Sequence, residues 1–68
     1  MDDEALNMSI RKFLKLVGVS SQREIEQAIA KALQDGTIAG DESFPATMTL
    51  EVPGLTLRHT FHGEVKLQ

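Results

Sequence analysis

The stretch Leu14-Lys15-Leu16-Val17-Gly18-Val19-Ser20-Ser21-Gln22-Arg23-Glu24 decides how this chain folds, because it either joins two helical patterns or separates them. Ser21 and Glu24 stand at capping-box spacing, and Ser20 is the alternative cap one residue earlier. Taken as punctuation, Gly18 stops one helix and the serines open the next. Upstream, Asp2, Asp3 and Glu4 suit the positive end of a helix dipole, and Leu6, Ile10, Phe13, Leu14 and Val17 recur at i, i+4, i+7, i+8 and i+11. Downstream, Ile25, Ala28, Ile29, Ala32 and Leu33 mark one face until Gly36, a C′ glycine. The expectation is a helix over about residues 3–17 and a second over about 21–35, folded back on each other because so few residues join them.

From Thr37 the period changes to two. After the turn-rich Gly40-Asp41-Glu42-Ser43-Phe44-Pro45, apolar residues alternate through Ala46, Met48, Leu50 and Val52, then Leu55, Leu57, His59 and Phe61, then Val65 and Leu67. This predicts strands over about 46–52, 55–60 and 64–68. Pairing Val52 with Leu55 across Pro53-Gly54 keeps the apolar residues on one side, and because Pro53 cannot adopt positive φ, the connection is expected to widen to four residues with unchanged parity. For the second turn, a three-residue Phe61-His62-Gly63 loop pairs His59 with Val65 and sets Gly63 at the left-handed bulge position. The predicted fold is α+β: one domain over 1–68 in which an N-terminal helical hairpin packs on one face of a three-stranded antiparallel β-meander. Thr47, Thr49, Glu51, Thr56, Arg58, Thr60, Glu64 and Lys66 would form its wet face, and Thr37-Ile38-Ala39 could add a short fourth strand.

Composition narrows the function classes. With 68 residues and no Cys, the chain has neither disulfides nor thiolate metal sites nor thiol catalysis, and a core of this size seldom supplies more than about 3 to 5 kcal/mol. The net charge of -3 speaks against a general affinity for nucleic acid or anionic membrane, though a local patch can still act. No apolar run approaches the roughly 20 residues of a membrane-spanning helix, and Met1-Asp2-Asp3-Glu4 is unlike the basic opening of a signal peptide, so the expected setting is the cytoplasm.

Chemistry-bearing patterns are few. His59-Thr60-Phe61-His62-Gly63-Glu64 has ligand types that zinc accepts, but on a hairpin His59 points to the apolar face and His62 into a turn, so no metal site is expected. Nearly all the carboxylates stand at caps, turns or wet faces, none in a clearly buried place suited to acid or base work, and Ser20 and Ser21 lack a local base. No catalytic residue and no cofactor follow, and the expectation is a protein that is not an enzyme.

The surface is more informative. Arg11, Lys12 and Lys15 fall opposite the apolar set of the first helix, with Met8 inside the same basic arc and Leu16 beside it. Together with Arg23 these residues form the candidate interaction surface, whose partner would be a protein or a second copy of the chain. Leu14 to Ser20, followed by Ile25, Ala28 and Ile29, is also similar to a helix-turn-helix, with Leu33 to Ile38 and the hairpins resembling the approach to a wing. Gln22, Arg23, Gln27, Lys31 and Gln34 would then face the groove of a nucleic acid. Against this, the segment from Arg23 to Asp35 holds two cations and three carboxylates.

Asn7-Met8-Ser9-Ile10-Arg11-Lys12-Phe13-Leu14-Lys15 and Val17-Gly18-Val19-Ser20-Ser21-Gln22-Arg23-Glu24-Ile25-Glu26 resemble the N-terminal half of a family of short uncharacterised bacterial proteins, a domain of unknown function. Pro45-Ala46 and Met48-Thr49-Leu50 continue the similarity. The resemblance implies a bacterial, cytoplasmic setting and brings no activity, cofactor or site residue with it.

Overall fold

The computed structural model describes every residue, Met1–Gln68, as two compact units, Met1–Thr37 and Ile38–Gln68. The first unit is a single helix, α1, over Asp3–Asp35, 33 residues without a break. The expected helices over 3–17 and 21–35 are therefore one element. Gly18 keeps a negative φ inside it, and neither Ser20 nor Ser21 caps anything. Magnitudes explain the outcome. Ending one helix and starting another orphans four C=O and four N–H groups, each hydrogen bond being worth about 0.5–1.5 kcal/mol net. A glycine inside a helix costs only about 1 kcal/mol relative to alanine.

The true ends carry the chemistry that the middle lacks. Asp2 caps the N terminus, its carboxylate accepting from the N–H groups of Glu4 and Ala5, both at 3.1 Å. Asp3 and Glu4 occupy the first turn, where the helix dipole favours negative charge. At the other end Gly36 turns left-handed at φ 75°. The Gly36 N–H then donates to the Leu33 carbonyl at 3.2 Å and the Thr37 N–H to the Ala32 carbonyl at 3.0 Å, which is a Schellman closure. The Thr37 hydroxyl adds a third bond, to the Ala32 carbonyl at 3.1 Å.

The second unit is a two-stranded antiparallel ribbon, not a three-stranded meander. Strand β1 spans Ser43–Val52 and strand β2 spans Leu57–Lys66, joined by a 3-10 turn at Pro53–Leu55. Strands expected over 55–60 and 64–68 are parts of β2, and the strand expected over 46–52 begins earlier. Val52 pairs with Leu57 across the four residues Pro53 to Thr56, the widened connection that the proline called for. Thr56 supplies the left-handed conformation there, at φ 54°, and its N–H donates to the Pro53 carbonyl at 3.0 Å. The expected Phe61-His62-Gly63 loop does not form. Gly63 has no positive φ and pairs with Ala46 inside the ladder.

Straight continuation holds because the period-two pattern never breaks at Gly63. Phe61 stays opposite Met48 and Val65 opposite Phe44, so one side of the ribbon remains apolar from end to end. Pro45 is accommodated because each strand of a two-stranded ribbon has a free edge, where a missing N–H costs the ladder nothing. On the polar side Thr49 and Thr60 share a hydrogen bond at 3.0 Å, Ser43 bonds Glu64, and Glu51 meets Arg58 at 3.7 Å. That ion pair is well exposed and contributes little to stability. Thr37 to Ala39 form no strand.

Neither unit has a core of its own: within each, no residue is buried.

Candidate interaction surface

A continuous helix gives the candidate residues a definite arrangement. Advancing 100° per residue, Met8, Lys12, Lys15, Leu16 and Arg23 share an arc of about 100° on α1, and Arg11 flanks it next to Lys15. The run through Gly18 also brings in Val19 and Ser20, which join Lys12, Lys15 and Leu16 around a shallow depression. Reading Gly18 as a stop hid these two. The signal was nevertheless present, since Met8 and Val19 are eleven residues apart, three helical turns, and so lie in one row.

This face mixes apolar bodies with cations. Met8 and Leu16 are each 64% exposed and Val19 is 52% exposed. From Met8 to Arg23 there are four cations and no carboxylate. None of the four is in an ion pair, the only one in the chain being Glu51 with Arg58. The long stems of Lys12 and Lys15 lie beside Leu16 and Val19, so the groove floor is apolar and its rim positive.

The opposite side of α1 is a longer apolar stripe. Leu6, Ile10, Leu14, Val17, Ser21, Ile25, Ala28 and Ala32 follow one another at intervals of four, four, three, four, four, three and four. That is an eleven-residue repeat, about 3.67 residues per turn, which stays on one face of a helix. Phe13 and Ile29 widen it. Phe13 and Leu14 remain exposed, and Val17, Ile29 and Ala32 are half-buried.

The ribbon offers less chemistry. His59 lies on its apolar side, edge-on to Phe61 with ring centroids 4.7 Å apart, while His62 stands on the polar side opposite Thr47. The two imidazoles diverge, and no group of three or more His, Asp or Glu converges anywhere in the chain. Glu42 stands in the turn ahead of β1. It is held below the usual carboxylate range by the Ala39 N–H, then by the Gly40 N–H, which donate to it at 2.7 and 2.8 Å. Those bonds fix the turn ahead of β1, where Gly40 takes φ 109°. No helix is long and apolar enough to cross a membrane.

No curated protein and no solved structure gave a significant match to the chain. The sequence pattern of one family matches residues 1–68, the whole length, and the chain belongs to it: the family of unknown function DUF6494.

Proposed function

We propose that the protein is a non-catalytic protein-interaction module that works as a homodimer in the bacterial cytoplasm. The observation that carries this reading is that neither unit buries a residue within itself, in a chain that is 41% hydrophobic. An isolated two-stranded ribbon is at best marginally stable in water, and isolated helices draw most of their stability from packing of an apolar face. Each unit taken by itself therefore lacks a core, and in this reading a second copy contributes apolar cover. The basic face with Met8, Leu16 and Val19 is then a surface for an acidic protein partner, since its rim cations are in no ion pair. Sedimentation across a concentration series is the test. The dimer predicts an association that strengthens with concentration and a Tm that rises with it, whereas a strict monomer with concentration-independent stability contradicts the dimer.

A second reading is favoured by the same four cations. Arg11, Lys12, Lys15 and Arg23 would bind nucleic acid along the outside of α1, without the helix-turn-helix geometry that the unbroken helix removes. Binding of duplex DNA or structured RNA would then weaken steeply with salt and be lost in Arg11→Glu and Lys15→Glu. No binding at low salt rules it out.

A further inference from the structure

We propose that β2 pairs through its free edge with β2 of a second copy, antiparallel and two-fold symmetric about Phe61, so that two ribbons become one four-stranded sheet. This rests on the homodimeric reading above and supplies its contact.

The ladder fixes which backbone groups face outward. The Leu67 N–H donates to the Glu42 carbonyl at 3.0 Å, so that pair exchanges bonds, and in an antiparallel ladder every second pair after it does the same. Met48 with Phe61 is then a bonded pair, and Thr49 with Thr60 is not. The 3.0 Å contact between the Thr49 and Thr60 hydroxyls agrees, because side chains approach more closely in non-bonded pairs. Arg58, Thr60, His62, Glu64 and Lys66 therefore turn their N–H and C=O groups away from β1. No backbone group of the ribbon bonds them. A helix spends its N–H and C=O groups within itself except at its ends, so another strand is what completes such an edge.

The two edges differ. On β1 the outward groups belong to Ser43, Pro45, Thr47, Thr49 and Glu51, and Pro45 interrupts the row because it has no N–H. On β2 the row is complete. Two strands alone are at best marginally stable in water, and three or more with an apolar face are needed, so pairing along the complete edge supplies what the ribbon lacks.

Charge selects the register. Charged side chains commonly guard an edge, and full overlap of two β2 strands, centred on His62, does set Arg58 against Lys66 twice. Moving the axis to Phe61 removes that repulsion. Arg58 then faces Glu64 of the second copy and Thr60 faces His62, each twice over by symmetry. Arg58 meets Glu51 through one contact at 3.7 Å, so its guanidinium keeps donors for a second carboxylate. On the apolar side Leu57 faces Val65, His59 faces Gly63, and the two Phe61 rings meet at the axis. Gly63 leaves room for the His59 ring, since nothing lies within 4 Å of a Cβ built there.

Hydrogen exchange of the full-length wild-type protein tests the pairing, at concentrations either side of the dissociation constant that sedimentation gives. The N–H groups of Arg58, Thr60, His62 and Glu64 should slow about tenfold when the concentration reaches about ten times that constant, with no matching change at Thr47, Thr49 and Glu51. The register has its own readout, because the chain has no Cys and introduced thiols report unambiguously. Phe61→Cys sets two thiols at the axis, on Cα atoms about 4.5 Å apart, and should oxidise to a linked dimer. His59→Cys sets them about 13 Å apart along the strands and should not. Cross-linking of His59→Cys in place of Phe61→Cys overturns the register. A dimer whose β2 amides exchange as fast as in the monomer, or whose protection falls on β1 instead, overturns the β2 pairing and leaves the homodimer standing. A wild-type protein that is monomeric at every concentration overturns both.

Discussion

Gly18 and Gly36 are the same residue at two places where α1 could have stopped, and only the second stops it. The surroundings make the difference. Gly36 takes φ 75°, and the N–H groups of Gly36 and Thr37 close onto the carbonyls of Leu33 and Ala32. Gly18 has a negative φ and passes the ladder on. Beyond Gly36 the apolar period switches to two, whereas beyond Gly18 it continues in phase: Leu6, Val17 and Ala28 are eleven apart, as are Ile10, Ser21 and Ala32. A glycine ends a helix when the pattern ends with it.

A proline at Ser21 separates a continuous α1 from two helices with the largest effect. In a helical hairpin capped by Ser20, that position is the first of the second helix, where proline is welcome. Inside a continuous α1, Ser21→Pro removes a hydrogen bond and clashes with the preceding turn, at a cost of about 3 kcal/mol. Urea unfolding at fixed protein concentration, followed by circular dichroism, should show a large loss of stability and of helical signal. Unchanged helicity would return the two-helix reading.

A smaller pair of effects has opposite signs. Nothing lies within 4 Å of a Cβ built at Gly18 or at Gly36, so backbone conformation alone decides. Gly18→Ala should stabilise by about 1 kcal/mol, the helix-propensity difference. Gly36→Ala should destabilise by about 1 to 2 kcal/mol, the cost of a left-handed alanine. Equal signs in the same unfolding assay would mean that the two glycines share one conformation.

The smallest effect lies just past the Gly36 stop, where Glu42 holds the turn. Its carboxyl has a lower pKa in the folded chain than in the unfolded one, because the Ala39 and Gly40 N–H groups favour the charged form. Its contribution is therefore full above the unfolded carboxylate value of about 4.3 and is lost as pH falls through the lowered folded value. Amide exchange at Ala39 and Gly40 should quicken over that acidic range, and Glu42→Gln should flatten the dependence.

Much of this was legible in the sequence wherever a residue has one use. Asp2-Asp3-Glu4 could only open a helix, Gly36 followed by Thr37 could close it, and Pro53 forced the wider connection that pairs Val52 with Leu57. Of the threonine-rich face, Thr49 and Thr60 stand side by side on one side of the ribbon, while Thr56 goes to the turn. Gly18 and Gly63 mislead because a permissive residue resembles a turn, although the period runs straight through both. Both sit in the interior of an element, where breaking the hydrogen-bond ladder costs more than the glycine does. The candidate surface inherited that error. Met8, Lys12, Lys15, Leu16 and Arg23 were legible as an arc, but Val19 and Ser20 became part of it only when the helix continued.

Continuity through Gly18 underlies the apolar stripe and the basic face alike, and backbone chemical shifts measure it most directly. A continuous α1 gives uninterrupted helical Cα shifts from Val17 to Gln22, with sequential amide contacts across Gly18 and Val19 and protection from exchange at Ser20 and Ser21. Coil-like shifts at Gly18 to Ser20, with a capped helix restarting at Ser20 or Ser21, would contradict it.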